Sequence, residues 1–126
     1  ELAAHEVDLG LLIWAMQRSA NPEALGPGRS VVKLTFTDQK GKRRDWWFVN
    51  EKGEVELCLD DPGHDVGLYL RTTLADMIYI WRGDLPLARA IAEGRLEVHG
   101  SSRAQRALPR WLGRAAVAHI PPQRAA

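Results

Sequence analysis

The chain has almost no cysteine: Cys58 is the single one in 126 residues. That excludes an internal disulfide and any CxxC-type zinc or redox site. It fits a reducing, cytoplasmic setting. Long apolar runs are lacking too. The longest, Leu9–Met16, falls far short of the ~20 residues a transmembrane helix needs, and it has neither the basic start nor the small-residue cleavage site of a signal peptide. Charge of one sign is also missing. The formal net charge is +1, so no global basic field argues for direct nucleic-acid contact. No phosphate-binding Walker loop, GxGxxG, HExxH or GxSxG occurs. The sequence therefore assigns no reaction and no cofactor, and the chain is read as non-catalytic.

What is present is a core. Hydrophobic residues make up 45% of the chain, five of them tryptophans. A single domain of this length buries roughly two thirds of its unfolded surface. Asp8 is placed to cap a helix over about Leu9–Ser19 that is apolar nearly all round, as in helices buried on more than one side. Asn21-Pro22 ends it. Strands then follow in alternation: Val31–Thr37 with Val32, Leu34 and Phe36 on one face, Asp45–Val49, Glu54–Leu59, and Val66–Arg71. Asn50–Gly53 reads as a hairpin loop between the second and third. Thr73 with Asp76 resembles a capping box opening a helix striped by Leu74, Met77, Ile78 and Trp81. Gly83 closes that helix, and Asp84 caps a short one ended by Gly94. Arg95–His99 is a fifth strand. Ser101 or Ser102 caps a last helix through Leu112, which Pro109 should kink. The fold class is α+β: a five-stranded, mainly antiparallel sheet with helices on one face.

The stretch from Leu68 to Gly100, LYLRTTLADMIYIWRGDLPLARAIAEGRLEVHG, resembles the sterol carrier protein two domain. The features that carry the resemblance are the turn Gly83-Asp84-Leu85, the central Ala90, and Gly94 to Gly100 closing on the last strand. Trp46-Trp47-Phe48 followed by Lys52-Gly53 is similar to that family's central hairpin. The likeness spans about Val31 to Gly113. The ending Ala107-Leu108-Pro109-Arg110-Trp111-Leu112-Gly113 and the apolar first helix are more similar to a variant found behind a winged helix-turn-helix of the HxlR type in bacterial regulators. The chain opens on Glu1 without a helix-turn-helix, so the resemblance implies a DNA-binding domain upstream. The ending Gln123-Arg124-Ala125-Ala126 departs from the peroxisomal signal of the eukaryotic carriers. The domain is expected over 1–113, with 1–29 as helix and loop and 31–113 as core; 114–126 reads as a loose tail.

The resemblance implies an apolar tunnel between sheet and helices for fatty acyl chains, sterols or other hydrophobic small molecules. In a regulator, such a tunnel would sense the ligand. The candidate lining residues are Leu34, Phe36, Trp46, Phe48, Leu57, Met77, Trp81, Leu108 and Trp111. The same residues also read as plain core packing, because sequence shows no void volume. Trp46 and Phe48 face the helices by that resemblance, which leaves Trp47 and Val49 on the bare side. They are candidates for an interface with a second copy or an upstream domain. The alternative function is therefore a ligand-free dimerisation or docking module.

Other clusters read as structure. Arg103, Arg106, Arg110 and Arg114 make a solvated helix face rather than a headgroup stripe. Asp60, Asp61, His64 and Asp65 surround a Pro-Gly turn rather than a metal. Ser101-Ser102 is a helix cap, His99 a strand end, and Cys58 points away from the core with no base beside it.

Overall fold

A computed structural model describes residues 2–113, with side chains from Leu9 onward. The expected tail, Arg114 included, lies outside the described residues. The strands are β1 (Ser30–Phe36), β2 (Asp45–Glu51), β3 (Glu54–Cys58), β4 (Leu68–Thr72) and β5 (Leu96–Gly100). They form one sheet in the order β3-β2-β1-β4-β5. β1 runs parallel to β4, and every other pairing is antiparallel. The helices are α1 (Leu2–Ser19), α2 (Leu74–Arg82), α3 (Leu87–Ala92) and α4 (Ser102–Leu112).

Register fixes the inner face. Leu34 stands opposite Trp46 on one side and Leu70 on the other, while Val32 stands between Phe48 and Leu68. Phe48 in turn faces Leu57. With side chains alternating along each strand, these residues share one surface. Onto it pack Leu12, Ile13 and Met16 of α1, Leu74, Met77 and Ile80 of α2, Leu87 and Ala90 of α3, and Leu108, Trp111 and Leu112 of α4, as one contiguous core.

Local chemistry accounts for most boundaries. Thr73 Oγ1 accepts from the Asp76 amide (3.1 Å), a cap worth about 1 kcal/mol. The Asp76 carboxylate does not complete a reciprocal box. It instead takes two bonds from Arg95, at 3.0 and 2.7 Å, which ties α2 to the start of β5. Gly83 ends α2 in the left-handed region at φ 86°, where glycine carries no side-chain penalty.

Several expectations are corrected. α1 begins well before Asp8, which is an interior position rather than its cap; the residues ahead of it include alanine and glutamate, good helix formers. α1 is also not buried all round, since Leu11 and Trp14 are 59% and 57% exposed. α3 is capped by Pro86, not Asp84, because proline biases Leu85 away from helix. Asn50 and Glu51 belong to β2, and the hairpin turns on Lys52 and Gly53 alone, at φ 54° and 77°, the paired positive φ of a tight primed turn. β4 starts at Leu68, so Val66 packs on the far face instead of beside Leu68 and Leu70. Pro109 lies inside α4, which continues to Leu112.

Candidate hydrophobic ligand site

The interior between sheet and helices is the first place where the candidate lining residues meet. Leu34, Phe36, Phe48, Met77, Leu108 and Trp111 are wholly buried there, and Trp46, Leu57 and Trp81 pack half-buried against them. Phe48 and Trp111 touch edge to face, with ring centroids 5.2 Å apart and an interplanar angle of 77°.

Sequence reasoning missed the polar centre of this interior. Trp111 Nε1 donates to Asn50 Oδ1 at 2.8 Å. The Asn50 side-chain amide donates to the carbonyls of Ser30 (3.1 Å) and Phe48 (3.2 Å). Asn50 is fully buried and its amide is spent on these partners. Two signals pointed to it. Asn50 follows Phe48 by two residues, hence the same face of a strand, and a buried indole N–H requires an acceptor. Across the strand pair from Asn50, Ser30 Oγ is buried without a partner among the described residues, which leaves one hydroxyl on the inner face for a further hydrogen bond.

A second feature lies where α1 and α2 part. A cleft of about 400 Å³ is walled by Leu11, Leu12, Trp14 and Ala15 from α1 and by Ile78, Trp81 and Arg82 from α2. Its volume falls in the range of small-molecule sites, ~300–1,000 Å³. Leu12, Ile78 and Trp81 also belong to the core or pack on it, so cleft and interior share a wall. Of the candidate lining residues only Trp81 lines this cleft. Arg18 lies over the Trp14 ring, 4.8 Å from its centroid.

The far face of the sheet carries a small cluster of its own. Val31, Trp47 and Val49 pack there with Cys58 and Val66, and Lys33 Nζ sits 5.2 Å from the Trp47 ring centroid. Trp47 is only 9% exposed. This chain's own side chains thus cover the two residues proposed as an interface.

The remaining candidates take structural places. Lys42 pairs with Asp60 at 2.8 Å, and Asp61 accepts from the Gly63 amide at 2.8 Å, which is turn chemistry. Among the described residues no group of three His, Cys, Asp or Glu side chains stands together for a metal. Ser101 Oγ accepts from the Ala104 amide at 3.0 Å, capping α4. Arg103, Arg106 and Arg110 are exposed on that helix. His99 Nε2 lies 3.5 Å from Glu97 at the surface. Leu59, expected to end the third strand, is exposed because β3 stops at Cys58. Burial raises the Cys58 thiol pKa, and the nearby Glu56 carboxylate raises it further. Since the thiolate is the nucleophile, alkylation by iodoacetamide at pH 8 is expected to run several-fold slower in the folded chain than after denaturation. Equal rates would contradict that environment.

An open mixed sheet with β1 central and parallel to β4, roofed on one face by helices, defines the sterol-carrier type of α+β fold. Solved structures agree. The sterol carrier protein domain 2 of Helicoverpa armigera is similar over 86% of this chain and 84% of its own, with a TM-score of 0.60 at 14% identity. A palmitated sterol carrier protein 2-like 2 from Aedes aegypti matches over 86% of this chain and 91% of its own, with a TM-score of 0.54 at 17% identity. The stereoselective inverting sec-alkylsulfatase of Pseudomonas sp. matches over 77% of this chain, with a TM-score of 0.60 at 13% identity, and the chain spans 14% of that enzyme's length. At such identities the likeness is one of architecture. No family model and no curated protein matches the chain. Among the described residues no helix is long and apolar enough to cross a membrane.

Proposed function

We propose that this domain binds a hydrophobic small molecule, such as a fatty acyl chain, a sterol or a similar lipid, in the cleft between α1 and α2, beside the packed interior where the tunnel was expected. The observation that carries the reading is the apolar α1–α2 cleft, which shares Leu12, Ile78 and Trp81 with the core. A ligand seated there would cover apolar surface that the fold leaves to water on Leu11 and Trp14. The sterol-carrier fold supports it, as does the palmitated state named for the Aedes aegypti neighbour. The role we assign is binding without a reaction. In a longer chain carrying a winged-helix DNA-binding domain, the same site would serve as the sensor. A docking module remains the alternative. Trp47 and Val49 are already covered by Lys33, Cys58 and Val66, so its remaining surface is the α1 stripe.

Thermal unfolding with 1-dodecanol, palmitate and cholesterol tests this. A ligand that binds only the native state stabilises it by about 2.7 kcal/mol at one hundred times its Kd. For a domain of this size that raises Tm by on the order of 10 °C. Native mass spectrometry of the purified chain should show a matching adduct. No shift with any of the three, and no adduct, would end the ligand-binding reading.

A further inference from the structure

We infer that the free edge of β5 is the surface on which a second copy of this chain docks, the two β5 strands pairing antiparallel about a two-fold axis at Val98. This goes beyond the proposed ligand binding and uses a different part of the fold.

The two edges of the sheet are finished differently. At the β3 edge α1 closes the strand, where Gln17 Nε2 donates to the Val55 carbonyl at 3.0 Å. β5 lies at the opposite edge, beyond β4. Along a strand the backbone N–H and C=O groups point alternately to the two sides. The Arg95 carbonyl points toward β4, where it accepts from Thr72 Oγ1 at 2.8 Å. The Gly100 carbonyl points outward and accepts from Gln105 Nε2 of α4 at 2.9 Å. Val98 shares the parity of Gly100, so its N–H and C=O also point away from β4, and among the described residues nothing bonds to them there. Such an edge accepts another strand unless a proline, a lysine, a bulge or a covering element blocks it. β5 carries no proline or lysine, and its register with β4 runs unbroken from Leu96 to Gly100.

What fits this edge is its own image. In an antiparallel pair about Val98 the two Val98 residues exchange both backbone bonds, and residues equidistant from the axis meet. Glu97 then stands opposite the partner's His99, and His99 opposite the partner's Glu97. Both side chains are exposed on the face away from the helices. Glu97 already lies 3.7 Å from Arg71 and 3.5 Å from His99, and Tyr69 stands opposite His99 on β4. Alternating charge thus continues from one sheet into the next, and opposite charges across a strand pair stabilise it. A strand of uniform charge would match one of Glu97 and His99 and oppose the other; a second β5 matches both. On the helix side the apolar row Leu34, Leu70, Val98 continues into its counterpart. A groove of about 300 Å³ runs beside Val98, walled by Ile91 of α3 and by Ser102, Gln105 and Arg106 of α4. Ile91 is 42% exposed, and the partner's Val98 would cover it. Antiparallel pairing also sets α3 of one copy beside α4 of the other, so the arginine-bearing α4 helices start at opposite ends of the paired strands.

Sedimentation equilibrium and amide hydrogen exchange on the full chain test this at about pH 6, where an imidazole carries charge. The pairing is short, so association is expected to be weak, and the Val98 amide should exchange several-fold more slowly as concentration rises through the dimer transition. Glu97→Lys and His99→Glu each set like charges opposite one another at both symmetric positions, and each should weaken the dimer by about tenfold. Mixed together, the two variants should associate as tightly as the unaltered chain, because opposite charges face each other again. Unchanged thermal unfolding of each variant confirms the fold. A monomer at every concentration, or a dimer in which Val98 exchange is unchanged, would overturn the interface. Charge reversals that leave association unaltered, or that mixing does not rescue, would overturn the pairing about Val98. Ligand binding at the α1–α2 cleft is read by its own thermal shifts and stands or falls apart from these results.

Discussion

Replacing Trp111 with alanine is expected to cost about 3–5 kcal/mol, a large share of the stability of a small domain, ~5–15 kcal/mol. The indole is fully buried, meets Phe48 edge to face at 5.2 Å, and supplies the donor to Asn50 Oδ1. Its loss leaves a cavity on the inner face and a buried amide oxygen without a partner. Trp111→Phe separates these contributions. It keeps an aromatic ring against Phe48 but removes the N–H, and should cost about 1–3 kcal/mol for the unsatisfied acceptor, in addition to the smaller ring's lost packing. Urea unfolding of Trp111→Phe, Asn50→Ala and the double variant closes a thermodynamic cycle. Costs that simply add would mean that the bond contributes nothing of its own.

Gly100→Ala is also expected to be strongly destabilising. Gly100 closes β5 opposite Leu68 at φ 155°, and a Cβ built there would stand 2.6 Å from the Gly67 carbonyl oxygen and 3.5 Å from Leu68 Cα. Both neighbours are backbone, so relief requires moving β4 relative to β5. We expect a loss of about 2–4 kcal/mol, the range of strained or overpacked sites. Amide exchange should accelerate selectively at Tyr69, Arg71, Glu97 and His99. Gly28→Ala is the control. It also has a positive φ, 87°, but meets nothing within 4 Å among the described residues, so only the conformational penalty of ~1–2 kcal/mol applies. Equal losses at the two positions would remove the close approach as the cause.

The inner face was legible in the sequence because strand alternation is a local property. Val32, Leu34 and Phe36, or Trp46 and Phe48, reveal a shared surface without knowledge of their neighbours. Turn chemistry was nearly as plain: Lys52-Gly53, Gly83 and Ser101 act where they stand. Positions whose roles are set by distant partners were not legible. Asn50 looked like a loop residue because its reason to lie in a strand is Trp111, 61 residues away. Asp76 looked like half of a capping box because Arg95 is not visible from Thr73. The α1–α2 cleft was the hardest to see. Leu11 and Trp14 match the buried Leu12 and Ile13 in hydrophobicity, so composition alone made α1 apolar all round. Only the angle at which the helix lies on the sheet decides which of them face water.

The order of strands bears on how the chain comes off the ribosome. β1, β2 and β3 are neighbours in sequence as well as in the sheet, so they can pair as soon as they emerge. Their inner face then stays unroofed on much of its area, because β4 must first return to the open side of β1 and α2, α3 and α4 must follow. Trp111, the largest side chain wholly buried in the core, is translated almost last among the described residues. A nascent chain stalled before α4 therefore carries Phe48 without its aromatic partner and Asn50 Oδ1 without its indole donor. Such an intermediate is prone to aggregate or to recruit a chaperone, and the vectorial order of synthesis makes α4 the segment that retires that hazard.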